Sequence, residues 1–251
     1  MYRLTGVVKH LLIINLILFL ATQLYGEQMY RLLALWFPRN ENFQFWQIIS
    51  HMFMHGNFMH IGFNMFALWM FGSPVEQVLG KNRFLFVYFS AGLGAVLFQL
   101  AYYYFNFLPI QESLVNTGLS SQEIAKIMVS NTITDGLTET QIVALRSAFT
   151  SYREIYFASM VGASGCIMGI LAAFGMMNPE ARLMLIFLPI PIKAKYFIPG
   201  IIILDIISAI TGQSFFSPSN TAYMAHVGGA VVGFLVMWYW KKNQFNQNRW
   251  D

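Results

Sequence analysis

The chain has 251 residues, 57% of them hydrophobic and only 10% charged, with a mean hydropathy of +0.53. A soluble domain carries about 25% charged residues, so this composition excludes an ordinary soluble enzyme and points to a membrane protein. The net charge of +4 and the pI near 9.2 suit anchoring to anionic lipid, and no basic groove with interleaved aromatics suggests a nucleic-acid partner.

A helix needs about 20 apolar residues to cross a hydrocarbon layer ~30 Å thick. Six segments approach that length. The first, HLLIINLILFLATQLYG, spans roughly 10–26. Its long apolar part and the lack of an A-x-A-like site before Glu27 mark it as a retained helix and not a cleaved signal. FMHIGFNMFALWMFG, roughly 58–72, is shorter and carries polar groups; the third segment runs over roughly 83–105. The stretch 107–150 is polar and Ser/Thr-rich, and its SSQE and TETQ signals predict two short helices in a soluble outer loop between helices three and four. The fourth, fifth and sixth segments cover roughly 153–177, 196–212 and 222–240. The expected fold is an all-α membrane protein, a bundle of six transmembrane helices. With the N-terminus in the cytoplasm, ten of the 15 Lys and Arg fall on the inner side, so the positive-inside bias puts both termini there. The short tails without appended domains point to a bacterial cytoplasmic membrane.

Strongly polar side chains at membrane depth are costly and mark functional sites by default. Five stand out: His60 and Asn64 in the second segment, Ser164 in the fourth, Asp205 in the fifth and His226 in the sixth. His60 and Asn64 lie four apart, on one helix face. They read either as two N–H donors converging on an oxyanion or as polar glue between helices. Ser164 sits in GASG, where Gly162, Gly165 and Gly169 suit close helix packing. The sixth segment holds His226 with Gly229 and Gly233 on a small-residue face, so the two helices can approach closely enough for a histidine to activate the serine. Asp205 reads as a third member of such a set or as the source of a structural hydrogen bond near the outer face.

A metal reading rests on His51 and His55 at i, i+4. The position after His51 is Met52 and not the Glu of a zinc-protease motif, and no further ligand cluster follows, so no metal is expected. Glycine-rich phosphate and dinucleotide fingerprints are absent, and no cofactor is expected. Cys166 is the sole cysteine, which excludes an intramolecular disulfide.

HGNFMHIGFNM, GASG and AHVGG, in this order on the second, fourth and sixth segments, make the chain resemble the rhomboid family of intramembrane serine proteases. Trp46 and the VEQVLG stretch with Glu76 and Gly80 add to the resemblance, which covers nearly all of residues 1–251 as one membrane domain, the 107–150 loop excepted. The resemblance implies that Ser164 is the nucleophile and His226 the general base of a dyad without Asp. It implies an oxyanion hole of His60, Asn64 and the Ser164 N–H, with Gly162 allowing close approach and His55 shaping the outer loop. The implied substrate is a single-pass transmembrane protein, reached through the bilayer beneath a cap-like loop at about 212–221. Two positions depart from the family pattern: Gln47 replaces an Arg, with a weaker loop anchor expected, and Met168 replaces an aromatic expected to pack on the catalytic histidine.

Overall fold

The computed structural model describes residues 3–132, 136–185, 188–215 and 221–243. Half of the cap-like loop (216–220) and the C-terminal residues that include Arg249 lie outside the described residues.

Helix α1 (Gly6–Tyr25) carries no side-chain cap of its own. Its free N–H groups are met from far along the chain: the Glu76 carboxylate accepts from Val7 N and Val8 N, both at 2.9 Å, and from the Thr5 hydroxyl. A carboxylate at the positive end of a helix dipole satisfies orphan donors and opposes the partial charge at once. This gives the VEQVLG stretch a physical role. A short helix α2 (Glu27–Leu33) and a two-residue strand β1 (Leu35–Trp36) follow, then α3 (Gln47–Ser50) with a single 3-10 turn at His51–Phe53.

Asn57 caps α4 (Phe58–Ala67) by accepting from His60 N at 2.8 Å. A π-helical turn at Leu68–Gly72 carries α4 into α5 (Ser73–Val115), and the whole of Phe58–Val115 is one 58-residue helical run. Gly80 interrupts it with φ 73° and ψ 167°, a left-handed value that only glycine adopts without strain. The side chain of Phe84 approaches Gly72 so closely that a Cβ there would lie 3.5 Å from its ring. In a straight helix those residues would stand about 18 Å apart. The run therefore folds back on itself at Gly80.

Both predicted helix starts beyond α5 are present as capping boxes. Ser120 and Glu123 open α6 (Ser121–Ser130), and Thr138 and Gln141 open α7 (Glu139–Tyr156). The second of these helices is not short, and α5 itself continues to residue 115. Phe37, Phe107, Leu114, Ile124, Met128, Leu145 and Tyr152 form a separate apolar core between α5, α6 and α7. Arg153 closes it by donating to Met128 O at 2.6 Å and Val129 O at 3.1 Å, two carbonyls in the last turn of α6.

The fourth apolar segment differs most from expectation. Residues 153–156 belong to α7, residues 159–160 form strand β2 (Ser159–Met160) antiparallel to β1, and only Ser164–Met177 is the helix α8. The Arg153 anchor and the β1–β2 pairing hold the first eleven residues of that segment, 153–163, outside α8. After α8 come a hairpin of β3 (Arg182–Leu185) and β4 (Leu188–Lys193), then α9 (Ala194–Thr211) and α10 (Tyr223–Asn243). Among the described residues, four stretches are long and apolar enough to cross a membrane: Gly6–Tyr25, Phe58–Val115, Ala194–Thr211 and Tyr223–Asn243. Two of the six sequence segments share the Phe58–Val115 run, and α8, with 14 residues, is shorter than a full span.

The main core joins α1, α4, α5, α8, α9 and α10. At its centre the helices meet through backbone. A Cβ on Gly229 would lie 2.0 Å from Gly165 O, one on Gly233 would lie 2.4 Å from Gly169 Cα, and one on Gly228 would lie 2.4 Å from Gly94 O. No side chain fits these crossings, which fix α10 against α8 on one side and α5 on the other.

Candidate active site

Ser164 is the first residue of α8. Its backbone N–H is one of the orphan donors at that end, where the helix dipole is positive, so negative charge developing beside it is favoured. The approach to it is held by two loops. Gly162 takes φ 125°, and its N–H donates to His51 O at 2.9 Å; Phe37 N donates to Ala158 O at 3.1 Å and extends the β1–β2 pairing. The stretch of residues 34–57 and the chain entering Ser164 are thus one unit.

Gly162 is also the point at which two of the candidate site residues, His60 and Ser164, come together. A Cβ there would sit 2.7 Å from His60 Nε2 and 3.6 Å from Ser164 Oγ, so the missing side chain leaves a small space between the two groups. On the other edge of the His60 ring, Gly56 N–H donates to Nδ1 at 3.5 Å, which leaves Nε2 as the N–H donor facing that space. Asn64, one turn further along α4 and buried, donates from Nδ2 to His60 O at 2.9 Å, and a primary amide keeps a second N–H. His55 is buried and packs edge-on against His60, ring centroids 5.0 Å apart. Burial first, and then the neighbouring His60, push the His55 imidazole down to about 3, so it is neutral at physiological pH. His51 donates from Nδ1 to Gln47 O at 2.8 Å, and no cluster able to hold a metal occurs among the described residues.

His226 lies in the first turn of α10, three residues before Gly229, whose contact on Gly165 is the crossing next to Ser164. Residues three apart share a helix face, so the histidine and the serine occupy the same level of the α8–α10 contact. Gln99 on α5 steadies this end of α10 by accepting from Ala225 N at 3.2 Å. Met168 is buried in the main core.

Two residues stand apart from the sequence reading. Gln47 is no weakened anchor: it is fully buried, donates to Asn42 O at 2.8 Å and Arg31 O at 3.0 Å, and accepts from Gln44 N at 3.0 Å and Trp36 N at 3.4 Å. One amide supplies both donors and acceptors, which a guanidinium cannot do. Asp205 is bonded to the histidine of the site: its Oδ2 lies 2.9 Å from His226 Nδ1, with both side chains withdrawn from solvent. The bond fits either reading of Asp205, a structural hydrogen bond or the third member of a serine–histidine set, and its partner is His226. An aspartate inside an apolar helix was the available signal, but the partner is 21 residues away and set by how α9 packs on α10.

His60 and Ser164 meet at Gly162, and His226 is bonded to Asp205 at the neighbouring α8–α10 crossing; residues of these types can generate a nucleophile and hold an oxyanion. The family profile described as Rhomboid domain matches residues 42–243. The chain is similar to Rhomboid protein 1, mitochondrial, of Saccharomyces cerevisiae, 27% identical over 196 residues, covering 78% of this chain and 42% of the relative. It is 28% identical over 188 residues to the human Presenilin-associated rhomboid-like protein, mitochondrial, covering 74% of this chain and 35% of the relative. Rhomboid protease AarA of Providencia stuartii is 27% identical over 200 residues, covering 76% of this chain and 54% of the relative. This chain thus spans about a third to a half of the length of the relatives it matches. Two of these relatives are named as mitochondrial, so the comparison does not favour a bacterial membrane over a mitochondrial one.

Proposed function

We propose, on the premise that this chain belongs to the rhomboid family, that it is an intramembrane serine endopeptidase cleaving a peptide bond near the outer end of a substrate's single transmembrane helix. The observation that carries this reading is the space at Gly162, with Ser164 Oγ on one side and His60 Nε2 on the other.

In the proposed reaction His226 Nε2 takes the Ser164 hydroxyl proton as Oγ bonds to the scissile carbonyl carbon. The carbonyl oxygen becomes an oxyanion held by the Ser164 N–H, His60 Nε2–H and the second N–H of Asn64. Preorganised donors of this kind are worth about 2.7–4 kcal/mol each in the transition state. The tetrahedral adduct collapses to an acyl-enzyme while the histidine returns the proton to the leaving amine. Water from the outer face, deprotonated by the same histidine, then releases the acyl group.

The same reading makes residues 1–251 one membrane domain of six helical limbs. The fold-back at Gly80 supports counting residues 58–79 and 81–115 as two of them. α8, too short to span alone, starts at Ser164, so it would set the nucleophile below the membrane surface and leave room for water above it. Residues 107–150, with their own core, would stand in the outer aqueous phase. The substrate helix enters laterally between α4 and α9. Its scissile carbonyl is locked in helix hydrogen bonds, so helix-breaking or small residues near its outer end favour cleavage.

The test is covalent labelling of the purified protein with a fluorophosphonate, read by mass spectrometry. One adduct on Ser164 is expected, absent in Ser164→Ala and in His226→Ala. Folded wild-type protein that takes no label would count against the protease reading and for a catalytically silent protein that binds transmembrane helices.

A further inference from the structure

We infer that Asp205 is a positioning residue for His226, making the site a Ser-His-Asp array in which α9 supplies the third member. The inference rests on the protease reading above and extends it.

The argument starts from cost. Asp205 is fully buried in an 18-residue apolar helix, on the face that also carries Ile198, Ile201 and Ser208. A carboxylate withdrawn from water is costly unless a partner compensates it. Its partner at 2.9 Å is His226 Nδ1, and that choice of nitrogen has a chemical consequence. An ionised carboxylate only accepts hydrogen bonds, so Nδ1 must carry the proton. In a neutral imidazole Nε2 then holds the lone pair. That is the tautomer a general base needs, and the carboxylate also fixes the plane of the ring.

The proton balance agrees. When Nε2 takes the Ser164 proton as the Oγ–C bond forms, the ring becomes a cation with Asp205 already 2.9 Å from Nδ1. The carboxylate gains no proton; it stabilises the imidazolium, which discharges to the leaving amine when the adduct collapses. Without the carboxylate both tautomers compete, and the ring cation loses the counter-charge beside Nδ1.

The experiment measures fluorophosphonate modification of Ser164 in the full chain, separating the limiting rate from the probe's half-saturating concentration, with thermal unfolding alongside. Asp205→Asn is expected to lower the limiting rate by about 10²–10⁴-fold, the range that loss of the correct tautomer produces in a triad. Its half-saturating concentration and melting temperature should stay near wild type, and Asp205→Glu should recover part of the rate. A merely structural contact would lower the melting temperature and leave the rate of folded protein intact, and that result would overturn the inference. Wild-type protein that does not react at all would instead sink the protease reading, and the inference with it. Should Asp205→Asn fail to fold, solid-state ¹⁵N spectra of histidine-labelled wild type decide the matter, with the His226 signal assigned by its loss in His226→Ala. A protonated Nδ1 with a bare Nε2 supports the array; a protonated Nε2 refutes it.

Discussion

The α8–α10 crossing and the α5–α6–α7 layer are both apolar cores, yet they are built on opposite principles. In the layer, Phe107, Leu114, Ile124 and Met128 interdigitate as large side chains, and capping boxes at Ser120 and Thr138 set the helix starts. At the crossing there is almost no side chain: Gly165, Gly169, Gly229 and Gly233 bring backbone onto backbone. On the proposed topology the layer stands in water, where burial of large apolar surface is the driving force. In lipid, exposed and buried apolar groups are nearly equivalent, so close backbone contact takes over. The site lies where the second principle operates, since only glycine contacts let a serine on one helix and a histidine on another share a level.

The largest effect should therefore come from adding atoms at the crossing. Gly229→Val places a branched side chain where even one Cβ would fall 2.0 Å from Gly165 O, a backbone atom that cannot swing aside. The two helices must separate, at a cost of about 3 kcal/mol or more. Loss of Ser164 labelling is expected together with a fall in melting temperature. Labelling at the wild-type rate would show that the glycine contacts do not govern the site.

Removing atoms from the layer is the converse change. Ile124→Ala leaves a cavity in a fully buried position, a loss of about 2–5 kcal/mol. Hydrogen exchange should quicken across residues 121–156 while amides in α8 and α10 keep their protection. Uniform quickening in both regions would mean that the two cores form one cooperative unit.

The same contrast explains what the sequence discloses. SSQE and TETQ announce α6 and α7 because a capping box is a local device, complete within four residues. His60 and Asn64 are legible for the same reason, their spacing being one helix turn. The GASG and AHVGG stretches are legible as a set but silent about geometry. Nothing local says that residues 153–163 leave the helix of the fourth apolar segment, because Arg153 answers to carbonyls of α6 and β2 to a strand more than a hundred residues earlier. The fold-back at Gly80 is hidden in the same way, since a glycine in an apolar run reads equally as packing. Gln47 and Asp205 go further. Each is identifiable as an odd residue in its surroundings, but the four bonds of the one and the histidine partner of the other exist only once separate elements have packed.

The smallest effect belongs outside both cores, where charge meets water. Glu180, ahead of the β3–β4 hairpin, pairs with Lys193 at 2.6 Å and Lys195 at 2.5 Å, and all three side chains are well exposed. Hydrogen bonds from Lys193 and Lys195 hold its carboxyl down at about 2. A carboxyl lowered on folding contributes stability that is whole above its unfolded value, ~4.5, and that fades as pH falls towards its folded value. Solvent and salt screen such pairs, so the contribution should be slight. Glu180→Gln is expected to melt within a degree or so of wild type at pH 7. The small gap should close as pH is lowered from 4.5 towards 2 and should shrink in high salt. A large gap at pH 7 that salt does not reduce would mean that the hairpin pairs hold α8 and α9 together. The contrast between backbone packing at the crossing and side-chain packing in the layer would then have to admit a third support, built from charge.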